Sequence, residues 1–120
     1  MALETPVINI TYKRGDSRAI VFVLSDSATG TALDLTGYTL PVLAVNSEAT
    51  PVDITNQLFT VSGVIDADPT TGRISFSPTT TDSDQNPGTY FYDAQIIDPN
   101  SGKLTFVAGE FTIEQDIAKD

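Results

Sequence analysis

At 120 residues and a formal net charge of −10, the chain is long enough for one domain with its own core. It is too acidic for a surface that binds nucleic-acid phosphates, which needs clustered Lys and Arg. It has no Cys and no His, which removes thiolate metal sites, disulfides, thiol nucleophiles and an ordinary Ser-His-Asp triad. No apolar run approaches the ~18 residues of a membrane helix, and Met1-Ala2-Leu3-Glu4-Thr5-Pro6 has neither the basic start nor the apolar stretch of a signal peptide. The expectation is a chain made in the cytoplasm, with no membrane and no nucleic acid among its partners.

In chain order, Val7–Tyr12 reads as a first strand, Arg14-Gly15-Asp16-Ser17 as a bend, and Arg18–Ser25 as a second strand. In that second strand Ile20, Phe22 and Leu24 alternate with Ala19, Val21 and Val23, so both faces are apolar and a central strand is expected. Asp26–Thr31 is a loop and Asp34-Leu35-Thr36-Gly37 a turn. Tyr38–Val45 is a third strand in which Pro41 implies an edge or a bulge. A polar loop over Asn46–Asn56 leads to a fourth strand, Leu58–Ile65; the wide turn Asp66–Gly72 leads to a short fifth, Arg73–Ser77. Pro78–Gln85 is another polar connection, and no window shows the 3.6-residue period of an amphipathic helix.

The last third is the clearest. Asn86-Pro87-Gly88 is a turn signal, and Thr89–Asp98 is rich in aromatic and β-branched residues. After the turn Pro99-Asn100-Ser101-Gly102, a seventh strand runs from Lys103 to Glu114, with Phe111 and Ile113 on one face. Seven short strands with Gly and Pro turns imply an all-β fold, an antiparallel immunoglobulin-like β-sandwich occupying residues 1–120 as a single domain. Asn86-Pro87-Gly88-Thr89-Tyr90 fits the corner-tyrosine pattern at the start of the sixth strand, and Tyr92 takes the place of the second Cys of an antibody domain. Gly88, Tyr90 and Tyr92 are thus the fold signature.

Four segments then carry a family resemblance. Tyr12-Lys13-Arg14-Gly15-Asp16 leading into Ile20–Leu24, Asp34-Leu35-Thr36-Gly37-Tyr38, Gly88-Thr89-Tyr90-Phe91-Tyr92-Asp93-Ala94-Gln95 and Gly109-Glu110-Phe111-Thr112-Ile113 resemble, in order, the immunoglobulin-like N-terminal domain of tailed-phage baseplate upper proteins and related virion domains. The resemblance spans nearly the whole chain. Family members continue into domains that assemble or grip a receptor-binding protein, whereas this sequence stops at Asp120. The implied role is therefore the broader one: a non-catalytic structural subunit of a phage particle, in tail or baseplate, located in the virion, with other phage structural proteins and copies of itself as partners. The alternative is a carbohydrate-binding or adhesin-type module on a phage head or bacterial surface, for which Tyr38, Tyr90, Phe91 and Tyr92 would form a stacking platform.

Charge suggests where copies meet. Residues 1–60 carry a net −3 and residues 61–120 a net −7, and the three basic residues of the first half, Lys13, Arg14 and Arg18, lie close together. They are the expected interface residues, facing the acidic half of a neighbouring copy in a head-to-tail contact. Arg14-Gly15-Asp16 reads as a bend at a strand junction rather than an adhesion tripeptide. Asp66-Ala67-Asp68 with Gly72 resembles half a calcium loop, but Ser77 stands where the closing Glu would be, so an Asx-rich turn is expected. No acidic residue has an obviously apolar setting for glycoside chemistry. No catalytic, metal or cofactor-binding residues are expected.

Overall fold

The computed structural model describes residues 7–26, 28–48 and 57–115. Seven strands follow in order: β1 (Ile10–Lys13), β2 (Ile20–Val23), β3 (Thr39–Asn46), β4 (Gln57–Ile65), β5 (Arg73–Phe76), β6 (Gly88–Ile97) and β7 (Lys103–Glu114). A 3₁₀ turn, Pro69–Thr71, precedes β5, and one helical turn, α1 (Thr80–Ser83), precedes β6. The loop read at Asn46–Asn56 lies mostly outside the described residues. Among the described residues no helix is long and apolar enough to cross a membrane.

The strands form one curled sheet in the order β1-β7-β6-β3-β4-β5-β2. The curl makes it sandwich-like, and β4 is the shared corner: Gln57–Ser62 pairs with β3 and Gly63–Ile65 with β5. Gly63 permits the corner, since a Cβ there would lie 2.6 Å from the Phe76 ring. The antiparallel expectation needs correction. Five of the six strand pairings are antiparallel, but β1 runs parallel to β7, with Ile10 opposite Phe111 and Tyr12 opposite Ile113. A parallel partner needs a long crossover, and here β1 and β7 are the first and last strands, so nearly the whole chain serves as the connection.

Alternation built the core. Phe22 and Phe76, from the β5-β2 side, meet Tyr92 and Phe106 of β6 and β7 at ring separations of 6.0 to 6.5 Å, while Phe111 packs on Tyr12, Phe59 and Tyr92. Stacked, tilted and edge-on pairs of this kind add about 0.5–1.5 kcal/mol each beyond the area they bury. The β6–β7 hairpin is the longest pairing, running from Gly88 opposite Ile113 to Ile97 opposite Lys103. Its turn is locked by the Asp98 carboxylate, which accepts N–H bonds from Asn100 at 2.9 Å and Gly102 at 2.8 Å.

Of the two alternatives at Pro41 the bulge holds, and one expectation about strand position changes. Pro41 is buried inside β3, which has neighbours on both sides, so it marks no edge. It sits where the register with β6 shifts between Thr39 and Val42, and the residue before it, Leu40, has φ +53°. The bulge accommodates the missing N–H. β2, expected to be central, ends the sheet and pairs, among the described residues, with β5 alone.

Candidate interaction surface

The bend that carries the basic residues is tied to α1. Gly15 turns at φ +81°, a left-handed geometry that favours glycine. The buried Ser83 hydroxyl donates to the Asp16 carbonyl at 2.6 Å. Thr79 and Asp82 form a reciprocal capping box: the Thr79 hydroxyl accepts from Asp82 N–H at 3.0 Å, and the Asp82 carboxylate accepts from Thr79 N–H at 2.9 Å. The Thr-x-x-Asp spacing was the signal for this turn. The 3.6-residue test missed it because four residues are too few to show a period.

Each expected interface residue has a partner within its own chain. Lys13 pairs with Glu114 at 3.0 Å. Arg14 donates from Nε to Asp84 at 2.8 Å and reaches Gln115 at 3.4 Å. Arg18 donates to the Thr11 carbonyl at 2.6 Å, lies 3.9 Å from Asp16, and stacks its guanidinium 4.6 Å from the centre of the Tyr12 ring. Acidic residues of the second half do face Lys13 and Arg14, but they do so inside one molecule, where they hold the end of β1 against β7 and α1.

The fold-signature residues have structural tasks. Gly88 opens β6 opposite Ile113. The Tyr90 hydroxyl donates to the Asn86 carbonyl at 2.5 Å, bracing the turn before β6. The buried Tyr92 donates to the Ile8 carbonyl at 2.6 Å, and burial pushes its phenol up to about 12. Tyr12 and Tyr38 are raised for the same principal reason. No described aromatic side chain is exposed: seven are buried, and Tyr38, Tyr90 and Phe91 are half-buried.

The acidic residues of the 66–72 turn bind their own backbone. Asp66 accepts from Asp68 N–H at 3.0 Å, and Asp68 accepts from Thr70 N–H at 3.1 Å and from the Thr70 hydroxyl at 2.6 Å, which is Asx-turn chemistry. Among the described residues no group of three or more acidic side chains is placed to hold a metal. One carboxylate was missed. Asp93 lies opposite Ala44 on β3 and Ala108 on β7, and burial raises its pKa while Lys103 offsets part of the effect. Two small neighbours across the sheet leave it half-buried, which is visible only once strand order is known. A single carboxylate of this kind is half of what glycoside hydrolysis requires.

The remaining distinctive surface is apolar. Val21 and Val23 on β2 are 47% and 57% exposed, and Val64 on β4 is 70% exposed. Ser75 lies opposite both Val64 and Val21, so these three residues form one row across the outer face, with Val23 beside Arg73 in the next. Leu24 N–H donates to the Gly72 carbonyl at 2.8 Å, which fixes the phase of the ladder: Ile20, Phe22 and Leu24 bond toward β5. The backbone groups of Val21 and Val23 therefore point away from the sheet. β2 thus combines a backbone edge that no described strand pairs with and exposed apolar side chains.

No protein-family model matches this chain, and no curated protein matches it. Among solved structures it is similar to the crystal structure of CopC from Methylosinus trichosporium OB3b, with 10% sequence identity and a TM-score of 0.48 over 92% of this chain and 90% of that one. At that level no ligand or role passes from one protein to the other.

Proposed function

We propose that this chain is a non-catalytic assembly subunit of a tailed-phage particle, acting in the tail or baseplate as an immunoglobulin-like domain that docks through a sheet edge. The observation that carries the reading is β2, an apolar terminal strand with Val21 and Val23 exposed and its outer backbone groups unpaired by any described strand. Monomeric proteins blunt such edges with charge, proline or a covering loop, and an edge left apolar is suited to pairing with another chain. The immunoglobulin-like assignment is supported by the strand order, the parallel β1–β7 pair at one end of the sheet and the Tyr90 corner bond. The virion assignment rests on the four ordered segments that resemble baseplate domains. Mass spectrometry of purified particles from the source phage or prophage tests it. Detection of this chain at a stoichiometric level is expected, and its consistent absence from particles overturns the role.

A further inference from the structure

We propose that β2 pairs with β2 of a second copy in an antiparallel, two-fold contact centred on Phe22. The inference deepens the assembly reading by naming the partner of the edge. The phase of the ladder selects this register. Val21 and Val23 direct their N–H and C=O groups outward, so symmetry about Phe22 places Val21 opposite Val23 of the second copy, and the reverse, as two hydrogen-bonded pairs. Ala19 then faces Ser25 of the second copy. Ser25 already bridges Ala32 through the bonds of Leu24 and Asp26, which leaves its own backbone groups pointing to the open edge. The valines of both copies fall on the outer face and form cross-strand pairs of β-branched residues.

Charge closes both ends of this register. Arg18 lies four positions before Phe22 and Asp26 four positions after it, so the two-fold sets Arg18 of each copy opposite Asp26 of the other. That position is a non-hydrogen-bonded pair, the kind in which side chains approach most closely. Arg18 is exposed and Asp26 half-buried; the pair forms at the expense of the 3.9 Å approach of Arg18 to Asp16, and beside the Ala28 N–H bond that one Asp26 oxygen accepts at 2.8 Å. A register slipped by two residues breaks both ion pairs, so the charges specify alignment while the valines and the backbone supply the attraction. Each copy carries −10 overall, so raising salt screens the repulsion between copies and strengthens this contact, whereas a contact driven by basic and acidic patches weakens.

Sedimentation velocity of the purified chain across concentration, at low and high salt, is the first test, with a dimer that tightens as salt rises expected. Val21→Pro removes an outward N–H, and Val21→Lys places a charge on the edge; each should raise the dissociation constant at least about tenfold with the melting temperature retained. Having two variants keeps the test decisive if one fails to fold. Register is read by disulfide trapping, since the chain has no Cys of its own. Val21→Cys mixed with a tagged Val23→Cys should give a covalent mixed dimer under mild oxidation, and far more of it than either variant alone. A wild-type chain that stays monomeric at every concentration overturns the inference, as does a dimer indifferent to both Val21 variants or equal cross-linking by Val21→Cys alone. A chain found in particles that fails these tests loses the β2 contact but keeps the assembly role; a β2 dimer absent from particles does the reverse.

Discussion

The sheet ends in two very different strands. At one end β1 is fastened to the body by directional contacts: Tyr92 to the Ile8 carbonyl, Glu110 N–H to the Asn9 side chain at 3.0 Å, Lys13 to Glu114 and Arg14 to Asp84. At the other end β2 pairs, among the described residues, with β5 alone and shows valines to solvent. β1 carries polar and charged residues at its exposed positions Thr11 and Lys13, while β2 has Val at both of its own. One end is thus fastened to the body by side-chain chemistry within the molecule, while at the other no described strand pairs with the outer edge. The contrast predicts that substitutions near β1 change stability and leave association alone, whereas substitutions on the outside of β2 do the opposite.

The largest effect is expected at the core beneath β1. Phe111 is fully buried against Tyr12, Phe59 and Tyr92, and Phe111→Ala should cost about 3–5 kcal/mol in urea denaturation. Against a typical total of about 5–15 kcal/mol, that leaves the fold marginal. A loss under about 1 kcal/mol would mean this layer is not the stable one. Next is Gly109, where β1's approach crosses β7: a Cβ there would lie against the Ile8 carbonyl. Gly109→Ala should cost about 1–3 kcal/mol through overpacking. Faster amide exchange in β1, with unchanged exchange in β2 and β5, would locate the damage.

Tyr92→Phe removes the hydroxyl bonded to Ile8 and should cost about 1 kcal/mol near neutral pH. Its signature is in alkali. The folded phenol sits near about 12 against an ordinary 10.0, so the folded state holds its proton longer than the unfolded state. Stability from this group is fully present below pH 10 and falls as pH climbs toward 12. Tyr12 and Tyr38 act in the same direction. Wild-type melting temperature should drop across that window, and Tyr92→Phe should flatten the drop; an unchanged slope would assign it to other groups.

Lys13→Ala breaks an exposed pair with Glu114 and should cost about 0–1 kcal/mol, with no change in sedimentation. A weakened self-association in this variant would revive the head-to-tail contact between basic and acidic patches. Smallest of all, Val21→Lys should move stability by no more than about 0.5 kcal/mol. A destabilisation well above that would show that the outer face of β2 is part of the fold's own packing and not a free edge.

Much of the fold was legible in the sequence because its determinants are local. Period-two alternation placed all seven strands, and β7 falls on the expected Lys103–Glu114. Turn chemistry marked Gly15 and the Pro99–Gly102 turn, and the Gly-x-Tyr signal singled out Tyr90, whose bond to Asn86 only the structure shows. Which strand lies beside which was decided only in three dimensions. Apolar residues on both faces of β2 are equally compatible with burial in a central position and with an exposed edge awaiting a partner, because alternation records which way side chains point and not what covers them. The direction of β1 depends on a partner about 100 residues away, and the half-buried state of Asp93 depends on two alanines brought in from other strands. The basic cluster was read from the sequence, but its occupation by Glu114 and Asp84 was not, since ion pairs between distant segments are set by the curl of the sheet.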